Sequence, residues 1–282
     1  MCIVAIAWQL FEELPLVLLS NRDEFLARPT EPLYQWKDLP VYAGRDSRSG
    51  GTWLGIHQQK QSTTYQQNGR WAAVLNFRDG VQASANERSR GELVTDFLTS
   101  DLSPMAFARQ IRLQDYAGFN LIIGDNKQAV VVNNRGYAPT PLHAGLHVFS
   151  NGQPEEGWFK TEKLRSRLRQ EVLPLIAEKH ALEYWQQAAF AVMSDDTPAP
   201  PDQLPNTGIA SEIEQALSSI YIDPVELTQG SDNVRPNYGT RTQSILTLRH
   251  DKTDTDDSAI KTYSRANIIS REFEQSLEKS DL

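Results

Sequence analysis

A single cysteine in 282 residues leaves no partner for an intramolecular disulfide, so nothing in cysteine usage argues for secretion. Positive charge is also scarce: 28 lysines and arginines face 36 aspartates and glutamates, and they form no cluster. A nucleic-acid binder needs a basic face, so no nucleic-acid partner is expected. The net charge of −8 mainly favours solubility. Long apolar runs are missing too. The opening segment Cys2–Trp8 is apolar, but no basic residue precedes it, and Glu12, Glu13 and Pro15 soon interrupt it. It reads as neither a signal peptide nor a spanning helix, which predicts a cytoplasmic protein with no membrane span. Metal-ligand patterns are absent as well. His143 and His147 are four apart, but Gly145 and a strand onset separate them. Asp251, Asp254, Asp256 and Asp257 lack the Gly and the Glu of a calcium loop. Neither metal nor cofactor is expected.

The residues that are present suit a packed core: 39% are hydrophobic and 23% charged. Apolar and β-branched runs at Cys2–Trp8 and 16–19, joined by a Glu-Glu-Leu-Pro turn, predict a buried hairpin. The second strand leads straight into Asn21-Arg22-Asp23-Glu24. Further strands are predicted at 52–56 and 70–77, flanking a polar loop over 57–69 rich in Gln, Ser and Thr. Others are predicted at Phe119–Gly124, Ala129–Asn133 and 147–150, with 244–249 pairing with 260–263. Helices are predicted from Ser89, from Ser103-Pro104, and near 156–172 and 179–192. A capping box, Ser211-x-x-Glu214, marks one more. Strands recur after the Pro-rich stretch at 197–201, so one domain spanning 1–282 is expected. Hairpins interrupted by helical blocks predict an α+β fold of antiparallel sheets with helices on their outer faces.

Cys2 is the sharpest chemical feature. Loss of Met1 would leave a thiol and a free α-amine on one residue, and that amine, with a pKa of about 7.7–8.0, can take the thiol proton. The alternative is a small buried hydrophobe on a strand. If the first two strands pair through the turn near Glu13, Arg22 lies beside Cys2, where a cation would favour thiolate. A carboxylate there, Asp23 or its rival Glu24, would hold or orient the amine. Asn76 and Asn151 each end a predicted strand, and a neutral amide N–H suits an oxyanion. Asn at a strand end is also ordinary turn chemistry.

Several motifs occur in a fixed order. They are Cys2, Asn21-Arg22-Asp23-Glu24-Phe25-x-x-Arg28-Pro29, Gly50-Gly51-Thr52-Trp53-Leu54-Gly55 and Arg90-Gly91-Glu92-Leu93-Val94. Gly118-Phe119-Asn120-Leu121, Ser150-Asn151 and Tyr238-Gly239-Thr240-Arg241-Thr242 come after them. In these the chain resembles the NRDE family, also called the transport and Golgi organization type-two family. That family in turn resembles the N-terminal nucleophile (Ntn) hydrolases of the penicillin V acylase and bile-salt hydrolase branch. The resemblance implies a four-layer αββα sandwich of two antiparallel sheets between helical layers. It also implies Cys2 as nucleophile, Arg22 beside it, Asp23 at the amine, Asn76 and Asn151 at the oxyanion hole, and Arg241 at the site wall. Asn21 and Glu24 are the candidates for substrate contact. The pattern departs in one place: those hydrolases separate the Arg from the Asp by two residues, whereas Asp23 follows Arg22 directly. Neighbours in an extended strand point to opposite faces, so both reach Cys2 only where the strand has bulged or ended. The 57–69 loop is longer than the usual family hairpin. The expected function is an amidohydrolase cutting a linear amide C–N bond of a small-molecule substrate. The rival is non-catalytic binding and trafficking of haem or of a lipid or acyl-CoA ligand, as implied by the eukaryotic side of the family.

Overall fold

The computed structural model describes residues 2–58, 69–81, 83–226, 237–253 and 261–273. Most of the loop at 57–69 and of the acidic turn beyond Asp251 therefore lies outside the described residues. In chain order the elements begin with β1 Cys2–Trp8, β2 Leu16–Phe25, β3 Thr30–Gln35, β4 Val41–Asp46, β5 Leu54–His57 and β6 Trp71–Asn76. Helices α1 Arg90–Thr99 and α2 Pro104–Gln110 come next, then β7 Phe119–Gly124, β8 Ala129–Asn133, β9 Thr140–Pro141 and β10 Gly145–Phe149. The chain continues through α3 Phe159–Arg167, α4 Leu173–Ala177, α5 Leu182–Met193 and α6 Ser211–Ala216. It closes with β11 Val225–Glu226, β12 Asn237–Thr253 and β13 Lys261–Glu272.

This is a mixed α/β protein with two antiparallel sheets. One has the order β10-β1-β2-β12-β11, with β13 also on β12; the other runs β3-β4-β5-β6-β7-β8-β9. The first hairpin forms as expected, and β1 is interior, held by β10 on one side and β2 on the other. Period-two alternation explains the packing. Cys2, Val4, Ile6 and Trp8 join Leu54, Trp71, Leu75 and Ile122 of the second sheet in one apolar cluster. Ile3, Ala5 and Ala7 face the other way, onto Leu164 of α3 and Trp185, Phe190 and Met193 of α5. The far side of the second sheet buries Val74, Phe119 and Leu121 against Leu93, Val94 and Phe97 of α1.

The two serine-capped helices form as the sequence predicts: Ser89 accepts from the Gly91 N–H and Ser103 from the Ala106 N–H. The helix predicted near 156–172 starts at Phe159 and passes through a π-turn, Leu168–Val172, just before Pro174. Proline lacks the N–H that a regular turn needs there, which accounts for the widened turn. The capping box at Ser211 does not form. The residue before Ser211 makes no side-chain cap, and Glu214 turns inward. There it accepts from the Thr207 N–H at 3.0 Å and pairs with Arg78 at 2.8 Å. A buried guanidinium claims the carboxylate more strongly than an exposed cap does. His57, expected to open a loop, instead ends β5 and is buried, its Nδ1 2.9 Å from the Leu98 carbonyl.

Candidate functional site

The site is built where β1 begins. Cys2 is the cross-strand partner of Arg22, and directly opposed residues share a face of the sheet. Ile3 is paired with Asn21 and points to the helical side with it. The Asn21 amide accordingly donates to the carbonyls of Met193 and Ile220, each at 2.8 Å, and is fully buried. Asn21 is a staple between sheet and helices and is not on the cavity wall.

The neighbours Arg22 and Asp23 both reach the cavity, and the partner strand helps explain how. Opposite them β12 carries a bulge: Thr240 pairs with Asp23 and Thr242 with Arg22, leaving Arg241 as the extra residue. The Thr240 hydroxyl donates to Asp23 Oδ1 at 2.7 Å, the Tyr238 hydroxyl donates to its carbonyl at 2.7 Å, and its own N–H is directed at the Cys2 thiol. Arg241 itself reaches backward, donating to the Arg28 carbonyl and to Thr30 Oγ1. It is not on the cavity wall and influences the site through its charge on Arg22.

Cys2, Arg22, Asp23, Glu24 and Asn76 line a common cavity of about 390 Å³. Asn151 does not. Its amide donates to the Asn76 carbonyl at 2.7 Å, so it anchors the end of β6 that presents Asn76. Ser150 next to it donates to the Cys2 carbonyl at 3.2 Å and so ties β10 to the nucleophile's backbone.

Sequence reasoning missed several groups here. Arg28 bonds Asp46 at 2.5 Å and lies 3.7 Å from Glu24, while Arg22 stacks over the Trp53 ring at 4.3 Å. Lys160 is the least expected. It lies on α3, is 2% exposed, and among the described residues makes one side-chain hydrogen bond, to the Leu217 carbonyl at 3.2 Å. Within electrostatic reach of it are Arg78, Asp23, Cys2 and Glu214. The motifs containing Arg28, Trp53 and Arg90 were visible in the sequence; for Lys160 there was no signal.

Electrostatics corrects one expectation. Burial pushes the Cys2 thiol up, and the Asp23 charge adds to this; the chain's terminal ammonium, the Asp23 N–H and the Arg22 cation oppose it without prevailing. The neutral thiol is therefore the favoured form, although Arg22 is where the sequence placed it. Burial also raises the Asp23 carboxyl, against the pull of the chain's terminal ammonium, Lys160, the Thr240 hydroxyl and Arg22. Burial lowers Lys160 to about 8, helped by Arg78. Burial works to raise Asp46 as well, but Arg28 outweighs it and holds that carboxyl below the usual range.

Fold and cavity together define a two-sheet α/β protein with a buried cysteine on one interior strand beside a buried arginine and aspartate on the next. Residues 1–256 match the family model described as Transport and Golgi organisation 2, and the chain belongs to that family. It is 32% identical over 253 residues to the Transport and Golgi organization protein 2 homolog of Bos taurus, covering 84% of this chain and 83% of the relative. The Homo sapiens homolog is 30% identical over 249 residues, with the same coverage of each chain. The Mus musculus homolog is 30% identical over 244 residues, covering 82% and 81%. Among the described residues no helix is long and apolar enough to cross a membrane.

Proposed function

We propose that the chain is a cysteine amidohydrolase of the Ntn type, acting in the cytoplasm on a linear amide C–N bond. In this proposal residues 1–282 form one domain and the two sheets with their helices correspond to the four-layer αββα sandwich. The observation that carries it is the placement of Cys2 on the wall of a cavity that also holds Arg22, Asp23 and Asn76. A thiol kept protonated by burial needs a base, and the proposal supplies one. With Met1 removed, the α-amine of Cys2 takes the thiol proton as the sulfur attacks the amide carbonyl. The Asn76 amide donates to the oxygen as it gains negative charge, and Asn151 holds Asn76 in place. The protonated amine then gives its proton to the leaving nitrogen, the C–N bond breaks, and water hydrolyses the thioester. Asp23 orients the amine and Arg22 offsets charge on sulfur.

The raised thiol, a weaker nucleophile, favours a second function on the same cavity: non-catalytic binding of haem, with Cys2 as a ligand to it, or of a lipid or acyl-CoA ligand, with Cys2 as a passive wall. Two measurements separate them. Turnover of an amide panel that disappears in Cys2→Ala, with an acyl adduct on Cys2 by mass spectrometry, supports the hydrolase; turnover that persists in Cys2→Ala defeats it. A thiolate-type Soret shift on adding haem, lost in Cys2→Ala, supports binding.

A further inference from the structure

We propose that the Cys2 cavity holds a carboxylate of its ligand between Arg22 and Arg90, so that the molecule cut at Cys2 is an amide that also carries a carboxylate group. The substrate half of this rests on the amidohydrolase function; the carboxylate site does not.

Arg22 is 5% exposed, and its Nη1 is shut off from water with no hydrogen-bond partner among the described residues. Its nearest carboxylates, Glu24 and Asp46, lie 3.6 and 3.5 Å from the other terminal nitrogen, beyond good hydrogen-bond range. A buried cationic donor left unmade is costly, and a bound carboxylate relieves that cost. Arg90 is half-buried on the same cavity and makes one side-chain hydrogen bond among the described residues, Nη1 to the Gly118 carbonyl at 3.2 Å. Both guanidiniums lie within electrostatic reach of Cys2 and Glu24. Two other arginines of the cavity differ. Arg28 is committed to Asp46, and Arg88 to Glu92 at 2.7 Å and Asp96 at 3.3 Å.

Backbone geometry adds a second, independent contribution. Ser89, Arg90 and Gly91, the start of the ten-residue helix α1, line the cavity, and a helix N-terminus favours negative charge. Two glycines allow this approach. A Cβ on Gly51 would fall 2.6 Å from the Gly91 carbonyl carbon, and one on Gly91 2.9 Å from the Thr52 nitrogen. The Gly50-Gly51-Thr52 and Arg90-Gly91 motifs thus meet backbone to backbone and set Arg90 at the cavity.

Charge and size narrow the ligand. Arg22, Arg28, Arg48, Arg88 and Arg90 line the cavity. Against them stand Asp23, Glu24, Asp46 and Glu87. Arg88 is taken by Glu92 and Asp96, so the rest of the lining balances at four arginines to four carboxylates and offers no surplus for a dianion, whereas a single carboxylate is met locally by Arg22 and Arg90. A volume of about 390 Å³ is near the lower end for small-molecule sites.

Cys2 reports on its own neighbourhood through alkylation by iodoacetate, which carries a carboxylate, and by neutral iodoacetamide. At pH 9 the iodoacetate-to-iodoacetamide rate ratio should exceed that of free cysteine by about 10-fold, since bidentate Arg–carboxylate pairing concentrates the anion beside the thiol. The iodoacetate rate should saturate, and acetate should compete better than inorganic phosphate. Arg90→Gln should return the ratio to that of free cysteine, with Arg90→Lys in between. A free-cysteine ratio in the folded wild-type protein overturns the proposal, as does stronger competition by phosphate. Should Cys2 resist both reagents, thermal stabilisation by acetate replaces the ratio, and its absence in the wild type is equally fatal. Hydrolysis enters none of these readouts, so anion selectivity without turnover keeps the site and removes only the amidase.

Discussion

Replacing Lys160 by Met tests the electrostatics beneath the cavity. The lysine is 2% exposed, has a single side-chain hydrogen bond among the described residues, to the Leu217 carbonyl, and is held at about 8 by burial. In the unfolded chain the same group keeps its proton to an ordinary value near 10.4. Between these two values the unfolded state binds a proton that the folded state has shed, so stability rises with pH across that window. The slope from this one group approaches about 1.4 kcal/mol per pH unit, or about 3 kcal/mol across the window. Below pH 8 both states carry the proton and the slope vanishes. Met fills a similar volume without charge, so Lys160→Met should lack this rise. Urea unfolding of both proteins at pH 7, 8, 9 and 10 reads the lysine's contribution together with its coupling to Cys2, Asp23, Arg78 and Glu214, because titrating groups beyond its reach cancel in the difference. Wild type should gain on the variant steadily above pH 8. Parallel stability curves from pH 7 to 10 would refute a buried, weakly partnered ammonium at this position.

Three further outcomes rest on the same geometry. Gly51→Ala should cost about 1–3 kcal/mol of stability by chemical denaturation, because its Cβ would meet the Gly91 carbonyl carbon at 2.6 Å and neither backbone can yield cheaply; an unchanged midpoint would sink the close-approach argument. The alkylation rate of Cys2 should reach half its maximum at a pH above that of an ordinary thiol, and Arg22→Met should move it higher still, because burial dominates and Arg22 opposes it; a midpoint below the ordinary value contradicts this. Burial would raise Asp195, but hydrogen bonds from Lys163 and Thr197 outweigh it and hold the carboxyl at about 2, so it should contribute stability above about pH 4 that is lost as pH falls toward 2. Asp195→Asn should therefore flatten the acid limb of the unfolding curve, and an unchanged limb would count against that clamp.

The first hairpin was legible because β1 and the first half of β2 are continuous apolar runs. β3 and β4 were not, since Glu31, Pro32, Gln35, Arg45 and Asp46 break any apolar alternation. β12 and β13 were seen only in their apolar centres. They extend over Asn237–Thr253 and Lys261–Glu272, held by a backbone register that polar residues such as Gln243 and Arg249 do not advertise. At the site, Cys2, Arg22, Asp23 and Asn76 were legible because strand ends gather at one edge. The β12 bulge that leaves Arg241 unpaired opposite Arg22 and Asp23 is a property of pairing, invisible in either strand alone. Lys160 resembles Lys163 in sequence, yet one is buried and the other forms a partly buried ion pair with Asp195. Only tertiary packing distinguishes them.

Cys2 is proposed to work with its own α-amine, and the N-terminal residue of the protein tests that chemistry most directly. An acylated nitrogen cannot serve as base, so the amine must be free. Intact mass and N-terminal sequencing of protein purified from its native host should show a chain that begins at Cys2. A chain in which Met1 or any other residue still precedes Cys2 would contradict the proposed chemistry.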